Sequence, residues 1–271
     1  MTVLGMTVLG MTGLGTIRAI RRHPVKSMAG EVVARAIASH AGLVGDRVWS
    51  FIDTAGPAHF PWFSARALGP MVGYRPRFVE PSRTLGDVAL EAAWARGSGV
   101  APALPDDDAF AVSVVTPGGA VLRIDDPRLL TELEAASGKA LTLRFATRGM
   151  QDCRPLSLVT RQTLAGFAAE AGIADDASRF RMNLEFDWPG AAPFAEDALV
   201  GRRLAIGPRV EIAIVEPDAR CAMIGVDPAT GESDRLVLRA LADRHGGNLG
   251  LYAVVLREGI LAEGDAIRLL D

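Results

Sequence analysis

The chain is poor in cysteine, lysine and aromatic residues, and the first two shortages exclude whole classes of function. Cys153 and Cys221 are its two cysteines, too few for a zinc ribbon or an iron–sulfur module, which need about four protein ligands, mostly thiolates. Electrons for any redox step must therefore come from a separate donor. Lys26 and Lys139 are the two lysines, the other cations being arginines, and the formal charge of −3 offers no basic field to a nucleic-acid backbone. The histidines at 23, 40, 59 and 245 form no pair at helical or hairpin spacing, so no zinc site is expected. The sequence also lacks a Walker A or dinucleotide-type glycine pattern after a strand-like run. Its uncharged N-terminal stretch is broken by glycine at every fifth position and barely approaches the roughly 20 residues that span a bilayer. Without a charged n-region, that stretch is a poor signal peptide, so a cytoplasmic protein with reduced thiols and no membrane span is expected.

What is present reads as a β-rich globular protein. Residues 1–15 are a tandem repeat, MTVLG MTVLG MTGLG, taken as a tail. From Thr16 onward, short β-rich runs such as TIRAIRRHPV, EVVARAIA and RVWSFID alternate with turn residues, and further strands are expected at 72–79, 109–115, 121–124 and 141–145. Two helices are well punctuated: Asp126 caps and Gly138 stops one, Thr160 caps and Gly172 stops the other. A third is expected over 236–244, before Gly246 and Gly247. The run GSGVAPALPDDD at 97–108 is the strongest loop signal. Strand-like runs RRLAIG, RVEIAIVE, LYAVVLRE and AIRLL close the chain. Length and pattern suggest two parts, 16–145 and 146–271.

Seven motifs then carry a resemblance. HPVKSMAGE, GLVGDRVWSFID and FSARALGP resemble the N-terminal domain that accompanies MOSC domains, and DCRPLSLVT, RFRMNLEFD, ARCAMIGVDPATGE and GILAEGDAIRLL follow in MOSC order. The chain is similar in particular to the mitochondrial amidoxime-reducing component and its bacterial relatives. The resemblance implies a mainly β protein with some helices (α+β), a MOSC β-barrel preceded by an N-terminal β-rich domain. It also implies a molybdenum cofactor in its molybdopterin form, held between the two, with no iron–sulfur cluster or zinc; pyridoxal phosphate is not expected.

By the same resemblance Cys221 is the metal-binding thiolate, a soft ligand suited to that centre. Lys26 and Ser27 are assigned to the phosphate or pyran side, Arg66 to the pterin, and Arg181 with Asn183 to pterin and phosphate. Arg181 and Asn183, two apart on an expected strand, would share a face. Asp152 matches an acidic position near the metal and joins Cys221 as a catalytic candidate. Arg220 is expected to point away from the thiolate, Arg47 is read as a surface or interdomain ion pair outside the site, and Cys153 as a structural thiol. The implied activity is reduction of N-hydroxylated compounds (amidoximes, hydroxylamines, N-oxides) by electrons from a flavoprotein, ferredoxin or haem protein. The alternatives are a non-catalytic cofactor carrier or sulfur-delivery module working through a Cys221 persulfide, and a scaffold whose site has lapsed.

Overall fold

The computed structural model describes residues 12–86, 90 and 105–270. Most of the N-terminal repeat and of the 97–108 loop lies outside the described residues. The first half contributes β1 (Thr12–Arg22), β2 (Glu31–Val33), β3 (Arg35–Ser39), β4 (Gly42–Leu43), β5 (Trp49–Asp53), β6 (Arg75–Phe78), β7 (Val112–Val115), β8 (Val121–Arg123), α1 (Pro127–Ser137) and β9 (Leu141–Phe145). The second contributes β10 (Leu156–Thr160), α2 (Arg161–Ala171), β11 (Leu184–Asp187), β12 (Arg203–Ile206), β13 (Val210–Ala219), α3 (Arg235–His245), β14 (Asn248–Arg257), β15 (Gly259–Ala262) and β16 (Ala266–Leu269).

The largest sheet runs β11-β10-β14-β13-β12-β16-β1-β2, and a further pairing of β11 with β1 closes its first seven strands into a barrel. Closure removes the open edges that a sheet would otherwise present. Alternation drives it: in β13 Val210, Ile212 and Ile214 turn inward while Glu211 and Ala213 stay partly exposed. Their partners inside include Ile17, Ile20, Leu158, Phe186, Leu204, Leu251 and Ile267. A second core, built on Phe51, Phe63, Met71, Phe110, Val114, Leu129 and Leu133, fills the first half. Helices α2 and α3 cover a third, around Phe167, Phe180, Ile224 and Leu241.

The punctuation residues act as the sequence suggests. Asp126 accepts from the Arg128 backbone N–H and Gly138 turns left-handed at φ 68°; Thr160 accepts from the Thr163 N–H and Gly172 sits at φ 65°. Each N-cap is worth about 1 kcal/mol.

Residues 12–15 are not tail but the first residues of β1. Leu14 is buried in the barrel core, and a Cβ on Gly15 would fall 1.7 Å from the Asp187 carbonyl oxygen. Glycine is required there because β1 and β11 approach closely, and the repeat simply runs into the strand. Strand β1 thus belongs to the barrel although it comes from the first half, and β3 pairs with β15. A cut near residue 145 divides the chain but not its sheets.

Two buried polar groups stand where β1 ends, Arg22 tying the strand to the rest of the first half and Asp46 joining the halves. Arg22 is fully buried; its Nε donates to Glu31 Oε1 at 2.6 Å, its Nη1 to Thr84 Oγ1 at 2.8 Å, and its guanidinium lies 4.5 Å from the Phe78 ring centre. Asp46, also buried, accepts from the His23 backbone N–H at 2.7 Å, from Arg47 Nη1 and from Asn183 Nδ2 at 3.1 Å. Burial, together with the positive charges of Arg181 and Arg47, pushes the His23 imidazole down to about 3, outweighing Asp46.

Two outcomes follow from this packing. Gly15→Ala should lower stability by at least about 2 kcal/mol, because only backbone can yield, and a denaturant midpoint unchanged within error would refute the contact. His23 stays neutral in the native state while the unfolded chain takes up a proton below about pH 6.5. Stability contributed by this group is therefore present above pH 6.5 and lost as pH falls toward 3, amounting to about 2 kcal/mol at pH 5. Urea unfolding of wild type and His23→Gln at pH 7 and pH 5 checks it: the variant should show the smaller loss.

Candidate active site

At the seam of the two halves lies an open-mouthed cavity of about 110 Å³. All of Lys26, Ser27, Arg66, Asp152, Arg181, Asn183 and Cys221 line it. So do Arg47, Cys153, Ser157, Asp218, Arg220 and Tyr252, for which the sequence analysis made no site assignment.

The first half supplies a cationic edge. Val25 bridges to Trp49 and the Lys26 N–H donates to the Trp49 carbonyl at 2.8 Å, so β5 fixes the Pro-Val-Lys-Ser segment. Ser27 then turns left-handed at φ 67°, a conformation costly for a non-glycine residue. Lys26 is buried and its Nζ donates to Met150 O at 2.8 Å and Asp152 Oδ1 at 2.7 Å. Its ammonium also lies 5.3 Å from the centre of the Trp62 ring. Arg66 is exposed at the mouth, stacked 4.5 Å from the Phe60 ring centre.

Arg47 is a correction. Its side chain is 16% exposed, not a surface pair; Nη1 donates to Asp46 and Nη2 to the Arg181 carbonyl at 3.1 Å. Its backbone is left-handed at φ 54°, which takes residue 47 out of the strand that follows and turns its side chain into the seam.

The second half supplies the thiol and two more guanidiniums. Cys221 is exposed and lies two residues beyond β13, where it caps the 3-10 turn Ala222–Gly225 instead of standing on the strand. Because the strand has ended, alternation no longer sends Arg220 away: Arg220 lines the same cavity, pairing with Asp218 and donating from Nη2 to Phe180 O at 2.5 Å. Nor do Arg181 and Asn183 share a strand face, since β11 begins at Leu184 and Arg181 is left-handed at φ 56° at the end of the 3-10 turn Ala177–Phe180. Arg181 Nη1 donates to Met28 O at 2.7 Å.

Asn183 has its amide fully used. Nδ2 donates to Arg21 O at 3.2 Å and Asp46 Oδ2 at 3.1 Å, while Oδ1 accepts from Ser157 N and Oγ, both at 3.2 Å. It pins the cavity floor. Cys153 is another correction: it is exposed and lines the cavity, its Sγ 3.7 Å from Glu216 Oε1. Burial and the Glu216 charge push its thiol up.

The electrostatics are lopsided. Burial, then the positive charge of Arg47, holds Arg181 down at about 9 against the pull of Asp46 and Asp152. Burial lowers Lys26 too, and Arg47 and Arg181 add to it against Asp152. Among the described residues, buried Arg181 Nη2 and Arg220 Nε have no hydrogen-bond partner. Donors left unpaired among crowded cations are arranged for an anion that brings acceptors. Among the described residues no cluster of three or more His, Cys, Asp or Glu could hold a bare metal ion, so a metal at Cys221 would need its other ligands from an organic group. A pterin bearing sulfur ligands and a phosphate fits both requirements: one exposed soft thiolate, and a cationic wall with free donors.

The family model of the MOSC domain matches residues 146–268, and that of the MOSC N-terminal beta barrel domain matches residues 14–80. Two curated relatives carry the name molybdenum cofactor sulfurase. That of Caenorhabditis briggsae is 34% identical over 95 residues, 35% of this chain and 13% of its own length. That of Caenorhabditis elegans is 37% identical over 81 residues, 30% and 11% respectively. The matches thus concern a small part of those longer proteins. Among solved structures, the YUAD protein of Bacillus subtilis aligns over 96% of this chain and 98% of its own, with a TM-score of 0.49 and 11% identity. No helix among the described residues is long and apolar enough to cross a membrane. With a closed seven-stranded barrel and both family models matched in order, the chain belongs to the MOSC-domain proteins and carries the MOSC N-terminal beta barrel domain ahead of the MOSC domain.

Proposed function

We propose that this protein holds a molybdenum cofactor at the seam, with Cys221 as metal ligand, and reduces N-hydroxylated compounds with electrons from a separate donor protein. The observation that carries the reading is the exposed Cys221 thiol facing a cavity walled by Lys26, Arg47, Arg181 and Arg220, with Arg181 Nη2 and Arg220 Nε unpartnered among the described residues. When bound, the cofactor supplies two-electron redox chemistry at the metal.

The chain's own residues divide the remaining work. Lys26, Arg47, Arg181 and Arg220 bind and neutralise the phosphate and the polar pterin edge, and Arg66 covers the mouth. Asn183 and Ser157 position, through Asp46, the arginines that make contact. Asp152, with its side chain 51% exposed and held by Lys26, stands between solvent and the cavity. We assign it to hand protons from water to the substrate, whose N–O cleavage consumes two electrons and two protons and leaves an amine and water.

A second reading draws on the names of the two sulfurase relatives: Cys221 would carry a persulfide and deliver sulfur, with no turnover of its own. Two measurements separate them. Cys221→Ser should purify with at least about tenfold less molybdenum than wild type, as expected for loss of a metal ligand, whereas equal metal content would sink the ligand assignment. Molybdenum-loaded wild type should reduce an amidoxime with a viologen reductant; metal without turnover, plus an added sulfur on Cys221 by intact mass, would select the sulfur-delivery reading. Arg47→Gln and Arg181→Gln should each weaken pterin retention by about 10- to 100-fold, the worth of one charge-assisted hydrogen bond lost in a partly buried site. Oxidised-pterin fluorescence after gel filtration reports it.

A further inference from the structure

A second cavity backs onto the first and, apart from the wall the two share, has no part in the reading above. It has a volume of about 510 Å³ and shares Arg181 and Met223 with the first cavity as a common wall. Four arginines converge on it from both halves of the chain: Arg75 and Arg77 from β6, Arg179 and Arg181 from the turn before β11.

Their arrangement follows from local structure. In β6, Pro76 and Phe78 are buried while Arg75 and Arg77 are exposed, so alternation puts both guanidiniums on the outer face. Arg179 is nearly sealed, with a side chain 4% exposed; Nη1 donates to Ile224 O at 3.2 Å and Nη2 to Asp227 Oδ2 at 2.6 Å. Its Nε is buried without a partner among the described residues, as is Arg181 Nη2. Nearby acids cancel this charge only in part. Asp227 already serves Arg179 and the backbone N–H groups of Ala229 and Thr230, and Glu31 is engaged 2.6 Å from Arg22 while lying 3.8 Å from Arg77. Arg75 makes no side-chain hydrogen bond or ion pair among the described residues. The rest of the lining is largely apolar, notably Val72, Val226 and Pro228.

We propose that this second cavity is a binding site for a phosphate monoester, its phosphate on Arg75, Arg77 and Arg179 and its organic part along Val72, Val226 and Pro228. Two exposed forks, Arg75 and Arg77, can reach oxygens that the buried Arg179 meets from behind, and paired guanidinium forks suit a tetrahedral oxyanion. The apolar strip gives an organic ester an advantage over free phosphate.

Isothermal titration at low ionic strength tests it with adenosine monophosphate, inorganic phosphate and adenosine as probes. The proteins are wild type, Arg75→Gln/Arg77→Gln and, as a control in the first cavity, Lys26→Gln. The monophosphate should bind saturably and more tightly than phosphate or adenosine. The double variant should lose about tenfold in that affinity, and Lys26→Gln should keep it. Arg75 and Arg77 are exposed, so an unchanged melting temperature will show that the double variant is folded. Equal affinity of wild type and double variant would overturn the proposal, as would loss on Lys26→Gln alone, binding of adenosine as strong as of its monophosphate, or no binding. Molybdenum content of the double variant reports separately on the first cavity, so either reading can fail without the other.

Discussion

The carboxylate of Asp46 is the contact on which the seam depends. It is buried, and burial alone would push its proton affinity up, yet Arg47 and His23 hold it well below the ordinary carboxylate range. One oxygen accepts from the backbone where β1 ends; the other accepts from Arg47 and from Asn183 just ahead of β11. A buried carboxylate with one acceptor missing its donor costs several kcal/mol, so the three donors must arrive together. The end of a barrel strand, the Gly-Asp-Arg turn and the Arg181–Asn183 segment are thereby held in one geometry. Arg47 and Arg181 cannot be placed in the cavity independently of one another.

The same joint makes the cavity cationic. Asp46 neutralises one charge from the protected side, where a ligand does not reach, and Asp218 restrains Arg220 in a similar way. Burial pushes the Asp218 carboxyl up against the pull of Arg220, and the Tyr252 phenol beside it is pushed up as well, by burial and then by the Asp218 charge. These pairings leave a wall that is held in place yet, among the described residues, keeps Arg181 Nη2 and Arg220 Nε without partners. That is the arrangement expected of a site organised before its ligand arrives.

Which parts of this were legible in the sequence depends on whether local rules governed them. The helices were, because Asp126, Thr160, Gly138 and Gly172 act on neighbouring backbone and need no tertiary partner. The motif residues gathered in one cavity, and the barrel closed as the resemblance implied. Errors fell where a strand was assumed to continue. Arg220 was sent to the wrong face because β13 stops at Ala219, and Arg181 was given a strand conformation although it is left-handed. Arg47 was set aside by a generic rule about adjacent opposite charges. The glycine at 45, itself at φ 85°, was the available signal that the chain there turns away from the strand pattern. The first residues of β1 were hidden by a repeat whose composition resembles a tail, since nothing local reveals that Leu14 meets the barrel core.

Hydrogen-bond accounting separates residues that motif membership treats alike. Asn183 and Arg181 stand two positions apart in one motif, but the amide has every donor and acceptor committed within the protein while the guanidinium keeps a buried N–H unpaired among the described residues. The first is committed to holding the fold, and the second keeps a donor available. The Asp-Pro-Ala-Thr-Gly loop divides in the same way. Asp227 spends its oxygens on the loop's own backbone and on Arg179, and a Cβ on Gly69 would fall 2.0 Å from the Gly231 carbonyl oxygen. The loop is consequently packed directly against the first half of the chain. Its contribution is to carry Arg179 to the seam, and a substitution at Asp227 would act through the arginine it releases, not through a ligand of its own.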